Sequence, residues 1–92
     1  MTPPTACVPL IGPDLAVAID LEISRSAVHA TTFASLHEAY AVILEELDEV
    51  WEITLQKRKD RNPGALRKEL IQVAAMAIKA IHSMPNLTGG SV

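Results

Sequence analysis

Between Leu44 and Glu52 the chain reads LEELDEVWE, five carboxylates in nine positions beside a tryptophan. Like charges three and four residues apart on one helix repel each other. Crowding them is unfavourable unless water solvates them well or a cation sits among them. A further acid, Glu69, follows Glu49 after nineteen residues, with Gln72 nearly one helical turn beyond it. Carboxylate and amide oxygens are ligands for a hard divalent cation such as Mg²⁺, which keeps some water and often shares its shell with substrate phosphates. Nitrogen- and sulfur-preferring metals match less well. His29, His37 and His82 have no ligand-like spacing, and Cys7 has no basic neighbour to make it a thiolate.

The elements that must carry these side chains are helical. Helix one is predicted to start around Pro13–Asp14, since proline is tolerated in a first turn. Ala16, Ile19, Ile23, Ala27 and Ala30 form its stripe at helical spacing. His29 to Ala34 breaks that pattern and reads as a connector. Helix two has a capping box in Ser35-Leu-His-Glu38, serine bonding forward and glutamate reaching back. Its expected core stripe is Leu36, Tyr40, Ile43, Leu47, Val50 and Thr54, and it fades over Gln56–Asp60. Asn62-Pro63 opens helix three, asparagine as cap and proline at the first helical position. The expected core stripe there is Leu66, Leu70, Val73, Ala77, Ala80, Ile81 and Met84, with Pro85 as the stop. No repeat and no strand pattern is present. The fold class is all-α, three main helices with a helical hairpin at the centre. Residues 1–12 form an extended arm, 13–84 the helical domain, and 85–92 a flexible tail.

On a helical wheel Glu46 lies about 80° from the expected core stripe of helix two, among Ala39, Val42, Val50 and Ile53, with Glu49 farther round. Glu69 is about 80° from the stripe of helix three, among Val73, Met76 and Ala80, with Gln72 beside it. Folding the hairpin about Arg61–Asn62 brings Glu49 within a few residues of Gln72. Two readings follow: a solvated acidic surface, which is common on helices, or an oxygen-rich pocket for a divalent cation.

Bulk properties limit the rest. Ninety-two residues make one small domain, whose own core is marginal. Yet 49% of the residues are hydrophobic and the mean hydropathy is +0.22. That surplus implies apolar faces kept for partner subunits, helices of neighbouring chains completing four-helix bundles in a homodimer or homotetramer. No apolar stretch reaches the ~18 residues of a membrane span. The N-terminal MTPPTACVPLIGPD lacks the basic start of a signal peptide. The single cysteine fits a reducing cytoplasm, and a net charge of −3 argues against general nucleic-acid binding. Charge is polarised, with six of eleven acids in 38–52 and six of eight basic residues in 57–68.

Glu45-Glu46-Leu-Asp-Glu49, the nineteen-residue spacer and Glu69-Leu-Ile-Gln72 resemble the E-E-x-x-E…E-x-x-D signature of the MazG-like all-α nucleoside triphosphate pyrophosphohydrolases. The flanking SLHEAYAVILEELDEVWE and ALRKELIQVAAMAIKAI share the likeness, which spans about residues 14 to 84. The resemblance implies Mg²⁺-dependent cleavage of a nucleoside triphosphate to a monophosphate and pyrophosphate, with Mn²⁺ as a substitute ion. It implies Glu46, Glu49 and Glu69 as metal ligands, and Glu45 orienting or deprotonating the attacking water. Gln72 departs from it, standing where the family has aspartate. An amide oxygen coordinates but brings no charge, so the position either weakens the metal site or marks a chain whose chemistry has decayed into an interaction module.

Further residues divide between substrate binding and structure. Lys79 lies on the side of Gln72 and reads as a phosphate contact or a surface lysine. Trp51 reads as a base-stacking or an interface residue. Lys57 and Arg58, in the run Lys57-Arg58-Lys59-Asp60-Arg61, read as a neutralising patch for a triphosphate or as favourable charge at a helix C-terminus.

Overall fold

A computed structural model of the protein describes residues 10–27 and 31–87, and every regular element among them is helical. Helix α1 spans Pro13–Ser26, with Pro13 at its start and Ala16 N donating to Gly12 O at 3.0 Å. Helix α2 spans Leu36–Leu55. Ser35 Oγ accepts from Glu38 N at 3.0 Å, as the capping box predicts. The return bond differs: Glu38 Oε1 accepts from Ala34 N at 2.7 Å, one residue before the serine. A short 3₁₀ turn, Arg58–Asp60, leads to helix α3, Pro63–Leu87. Asn62 Oδ1 caps α3 by accepting from Gly64 N at 2.9 Å and Ala65 N at 3.2 Å.

Two details of the connections differ from expectation. Pro85 does not stop α3, which continues to Leu87. So near the end a proline forfeits one backbone bond without interrupting a ladder of any length. Arg61, expected within a solvated or phosphate-facing run, donates to Gln56 O at 3.0 Å and Thr54 O at 2.8 Å. These carbonyls lie at the C-terminal end of α2, where helical partners run out. The N-terminal arm up to residue 9, Ala30 of the α1 stripe and residues 88–92 lie outside the described residues. No helix among the described residues is long and apolar enough to cross a membrane.

Helix α3 is the centre of the packing. It lies against α2 on one side and α1 on another, while α1 and α2 do not pack on each other. The buried apolar residues are Ile19, Phe33, Ala39, Ile71, Ala75 and Met76. Phe33 comes from the connector, where no periodicity marked it. Its backbone N donates to Ser83 Oγ at 3.0 Å, and the Ser83 hydroxyl donates to Lys79 O at 2.7 Å.

The expected core stripes are corrected by this arrangement. Within one chain they face mostly outward: Tyr40 is 68% exposed, Leu47 46%, Leu70 48% and Ile81 62%. The inward faces combine small side chains, Ala39 on α2 and Ala75 and Ser83 on α3, with Ile71 and Met76, and the small ones let helix backbones approach closely. On α2 the outward apolar residues Leu36, Tyr40, Leu44, Leu47, Trp51 and Leu55 recur at intervals of four and three along the whole helix. Because the hairpin is antiparallel, this stripe and the Leu70–Ile81 stripe of α3 turn to the same side. The carboxylates lie in the seam, away from it.

Candidate metal centre

Glu46 and Glu49 are three residues apart on α2, so both lie on the flank turned toward α3. Glu69 and Gln72 stand three apart on α3 and face them. One carboxylate oxygen from each of Glu46, Glu49 and Glu69 can be chosen so that all lie within 4.8 Å of one another. Gln72 closes the group. With its amide turned to satisfy its surroundings, Nε2 donates to Glu69 Oε2 at 2.9 Å and to Glu46 Oε2 at 2.5 Å. The opposite orientation would set its oxygen against acceptors only.

This concentration of charge alters proton affinities. Burial, followed by the charges of Glu49, Glu45 and Glu22, raises the Glu46 carboxyl above its ordinary value. Glu69 is pushed up to about 7, first by a hydrogen bond with Glu49, then by burial and the charges of Glu49 and Glu46. Lys68 opposes that rise. Like charges at this separation cannot all ionise without penalty, so below about pH 7 a proton is retained among them.

The donor set suits a hard cation. Oxygens about 2.1 Å from a shared octahedral Mg²⁺ would lie about 3.0 Å apart when adjacent and about 4.2 Å apart when opposite. The three carboxylates, with one oxygen from each within 4.8 Å of the others, are close enough to converge on one such ion once their side chains draw in. Gln72 would rotate its amide to offer Oε1.

The other candidate residues are placed differently. Glu45 is exposed beside Glu46, and its charge reaches that residue. Trp51 is 58% exposed on the outward apolar stripe, away from the carboxylates. Lys57 and Arg58 are exposed at the corner of the hairpin. Lys79 is 6% exposed. Its Nζ donates to Ser26 Oγ at 3.2 Å and Ser26 O at 3.4 Å and stands 4.8 Å from the centroid of the Phe33 ring. The lysine thus fastens the C-terminal end of α1 to α3, where a cation also meets the negative end of the helix dipole, rather than lying on the surface.

Three residues absent from the sequence-derived set join the surroundings of the acids. Glu22 of α1 contributes charge at Glu46 and pairs with Arg25 at 2.6 Å. Lys68 contributes charge at Glu69. The available signal was the spacing of Glu22 three residues after Ile19, which puts it beside the buried stripe of α1. The chain matches no protein-family model, no curated protein and no solved structure.

Proposed function

We propose that the chain is a Mg²⁺-dependent nucleoside triphosphate pyrophosphohydrolase of the MazG-like kind, forming monophosphate and pyrophosphate from a nucleotide substrate. The observation that carries this reading is the convergence of Glu46, Glu49 and Glu69 within 4.8 Å across two helices. Those three residues would hold the ion, with Gln72 as a neutral fourth donor. The ion would supply polarisation of the phosphate and a more acidic water. Glu45, beside the cluster but open to solvent, would accept the proton of that water. The test is pyrophosphate release from canonical and modified nucleoside and deoxynucleoside triphosphates in millimolar Mg²⁺ or Mn²⁺. Absence of turnover by the folded protein overturns the assignment.

The proposal includes a homo-oligomer, dimer or tetramer. Its support is the pair of outward stripes sharing one side of the hairpin, half the apolar lining of a four-helix bundle. A second copy offers the same two stripes, so it is the self-complementary partner. Between α1 and α3 a hollow of about 400 Å³, lined mainly by Leu15, Ile19, Leu66, Leu70, Ile71 and Ala74, provides a socket beside that face.

One observation favours a second reading, a non-catalytic helical oligomer. The Gln72 amide already bridges Glu46 and Glu69, a structural role that needs no ion. On that reading Glu46→Gln raises thermal stability and changes no activity. On the preferred one it abolishes pyrophosphate release.

A further inference from the structure

We infer that the apolar hollow between α1 and α3 is the docking groove for the chain's own N-terminal segment, residues 1–9, which folds back at Gly12 and seats Val8 against Leu15 and Leu66. The hollow, about 400 Å³, is bounded by Leu15 and Ile19 on α1 and by Leu66, Leu70, Ile71 and Ala74 on α3, with Pro63 at one end. The two helices run in the same direction, since Leu15 and Pro63 share the hollow while Ser26 and Lys79 are joined farther along. Its mouth therefore lies at the start of α1, where residues 1–9 are attached. From Pro63 to Ala74 the helical rise gives the hollow a length of about 16 Å. A polyproline-like chain advances about 3.1 Å per residue. About five residues, 4 to 8, thus cover the hollow, and residues 9 to 12 make the reversal.

The chemistry of both surfaces selects this occupant. Arg67 is the one lining residue with a polar side chain, and the helix backbones beneath are bonded internally. Whatever covers the hollow must therefore need few hydrogen bonds there and bring no basic charge. Residues 1–9, MTPPTACVP, hold no charged side chain, and three of the nine are prolines, which have no backbone N–H to leave unsatisfied. A polyproline-like segment keeps its remaining backbone groups turned to water. Leu10 and Ile11, 94% and 54% exposed, carry the apolar character up to the mouth. A helix of a second copy, about 10–12 Å across, would enter only by the tips of its side chains, whereas one extended strand needs about 5 Å of width. The tether also makes the encounter intramolecular, at an effective concentration on the order of millimolar for so short a link. Neither the cation nor the oligomer is required for this contact.

The experiment uses Cys7, the single cysteine, to carry a nitroxide on the full-length chain, with methyl resonances read by NMR. Attenuation is expected to be stronger at Leu66 and Leu70 than at Val17, which stands between Leu15 and Ile19 on α1 but is 56% exposed on its other face. Val8→Asp, which puts a charge into an apolar groove, is expected to abolish that difference, and circular dichroism confirms that the variant is folded. A Thr2→Cys label in a Cys7→Ser chain guards against a nitroxide that itself prevents docking, and is expected to attenuate Ala74 more than Val17. Equal attenuation of the hollow and Val17 from both labels overturns the docking. So does a difference that survives Val8→Asp, because the label then reports only its tether. A mixture of isotope-labelled Cys7→Ser chain with unlabelled nitroxide-bearing chain tells one molecule from two. Silence in the mixture upholds the intramolecular contact, whereas attenuation as strong as in the single chain assigns the groove to a second copy and overturns it.

Discussion

Raising the pH from 6 to 8 should strengthen divalent-cation binding about tenfold. Glu69 stands at about 7, through its hydrogen bond with Glu49, burial, and the charges of Glu49 and Glu46. A metal ligand must be deprotonated. For a group at 7, about one molecule in ten is ionised at pH 6 and about nine in ten at pH 8. An unperturbed glutamate would be ionised throughout that range and would give a flat profile. The folded chain also retains a proton that the unfolded chain has released between pH 4.5 and 7. The metal-free stability should therefore fall as pH rises through that window. A shift of this size corresponds to roughly 3 kcal/mol with water excluded, and to about 1–2 kcal/mol for a side chain still partly open to solvent. Mn²⁺ titrations in buffers of different ionisation enthalpy would report both affinity and the protons released, and melting curves would give the stability. An affinity independent of pH between 6 and 8, in a folded protein that does bind the ion, would falsify this assignment of Glu69.

Gln72→Asp should lower metal-free stability by about 1–3 kcal/mol, since the neighbouring acids lose two donors and gain a charge. Added Mg²⁺ should raise its melting temperature more than it raises that of the wild type; equal shifts count against a shared site. Lys79→Ala should cost about 2–4 kcal/mol by denaturant unfolding, as it removes a buried link to Ser26 and Phe33. A change within about 0.5 kcal/mol would contradict the structural role. Leu47→Asp puts a charge at the middle of the outward α2 stripe. It should shift sedimentation from oligomer to monomer while the helical circular dichroism persists, and an unchanged sedimentation coefficient removes that face from the interface.

The helices were legible because their ends depend on local chemistry. Ser35, Glu38, Asn62 and Pro63 announce themselves by type and spacing, and each lies at a helix start. The convergence of the glutamates was legible for the same reason, helical periodicity and one reversal of the chain. Which face turns inward was not. Apolar residues on α2 and α3 cover more of each circumference than one neighbour can bury, and the wheel selected stripes centred on Leu36, Tyr40, Leu47, Leu70 and Ile81. Close packing instead places Ala39, Ile71, Ala75, Met76 and Ser83 inside. Phe33 lay in a connector without periodicity, and Lys79 belongs to a residue type that is seldom buried. Its burial depends on a carbonyl, a hydroxyl and a ring brought from distant parts of the chain.

The placement of Glu46 in the packing seam bears on what must neutralise the acids. An acidic face in open water can shed its mutual repulsion into solvent, whereas one between two helices needs partners. Two are present. A proton raised into the neutral range joins Glu69 to Glu49, and the Gln72 amide offers donors to Glu46 and Glu69. Below about pH 7 the three carboxylates hold a proton among them, and a divalent cation would take its place as the neutralising charge as the pH rises. Entry of that ion would displace the proton and turn the amide, exchanging one set of neutralising contacts for another. Aspartate at position 72 would forgo the amide contacts and make the cation more necessary. Glutamine makes the same cluster able to persist in either condition, at the expense of weaker attraction for the ion.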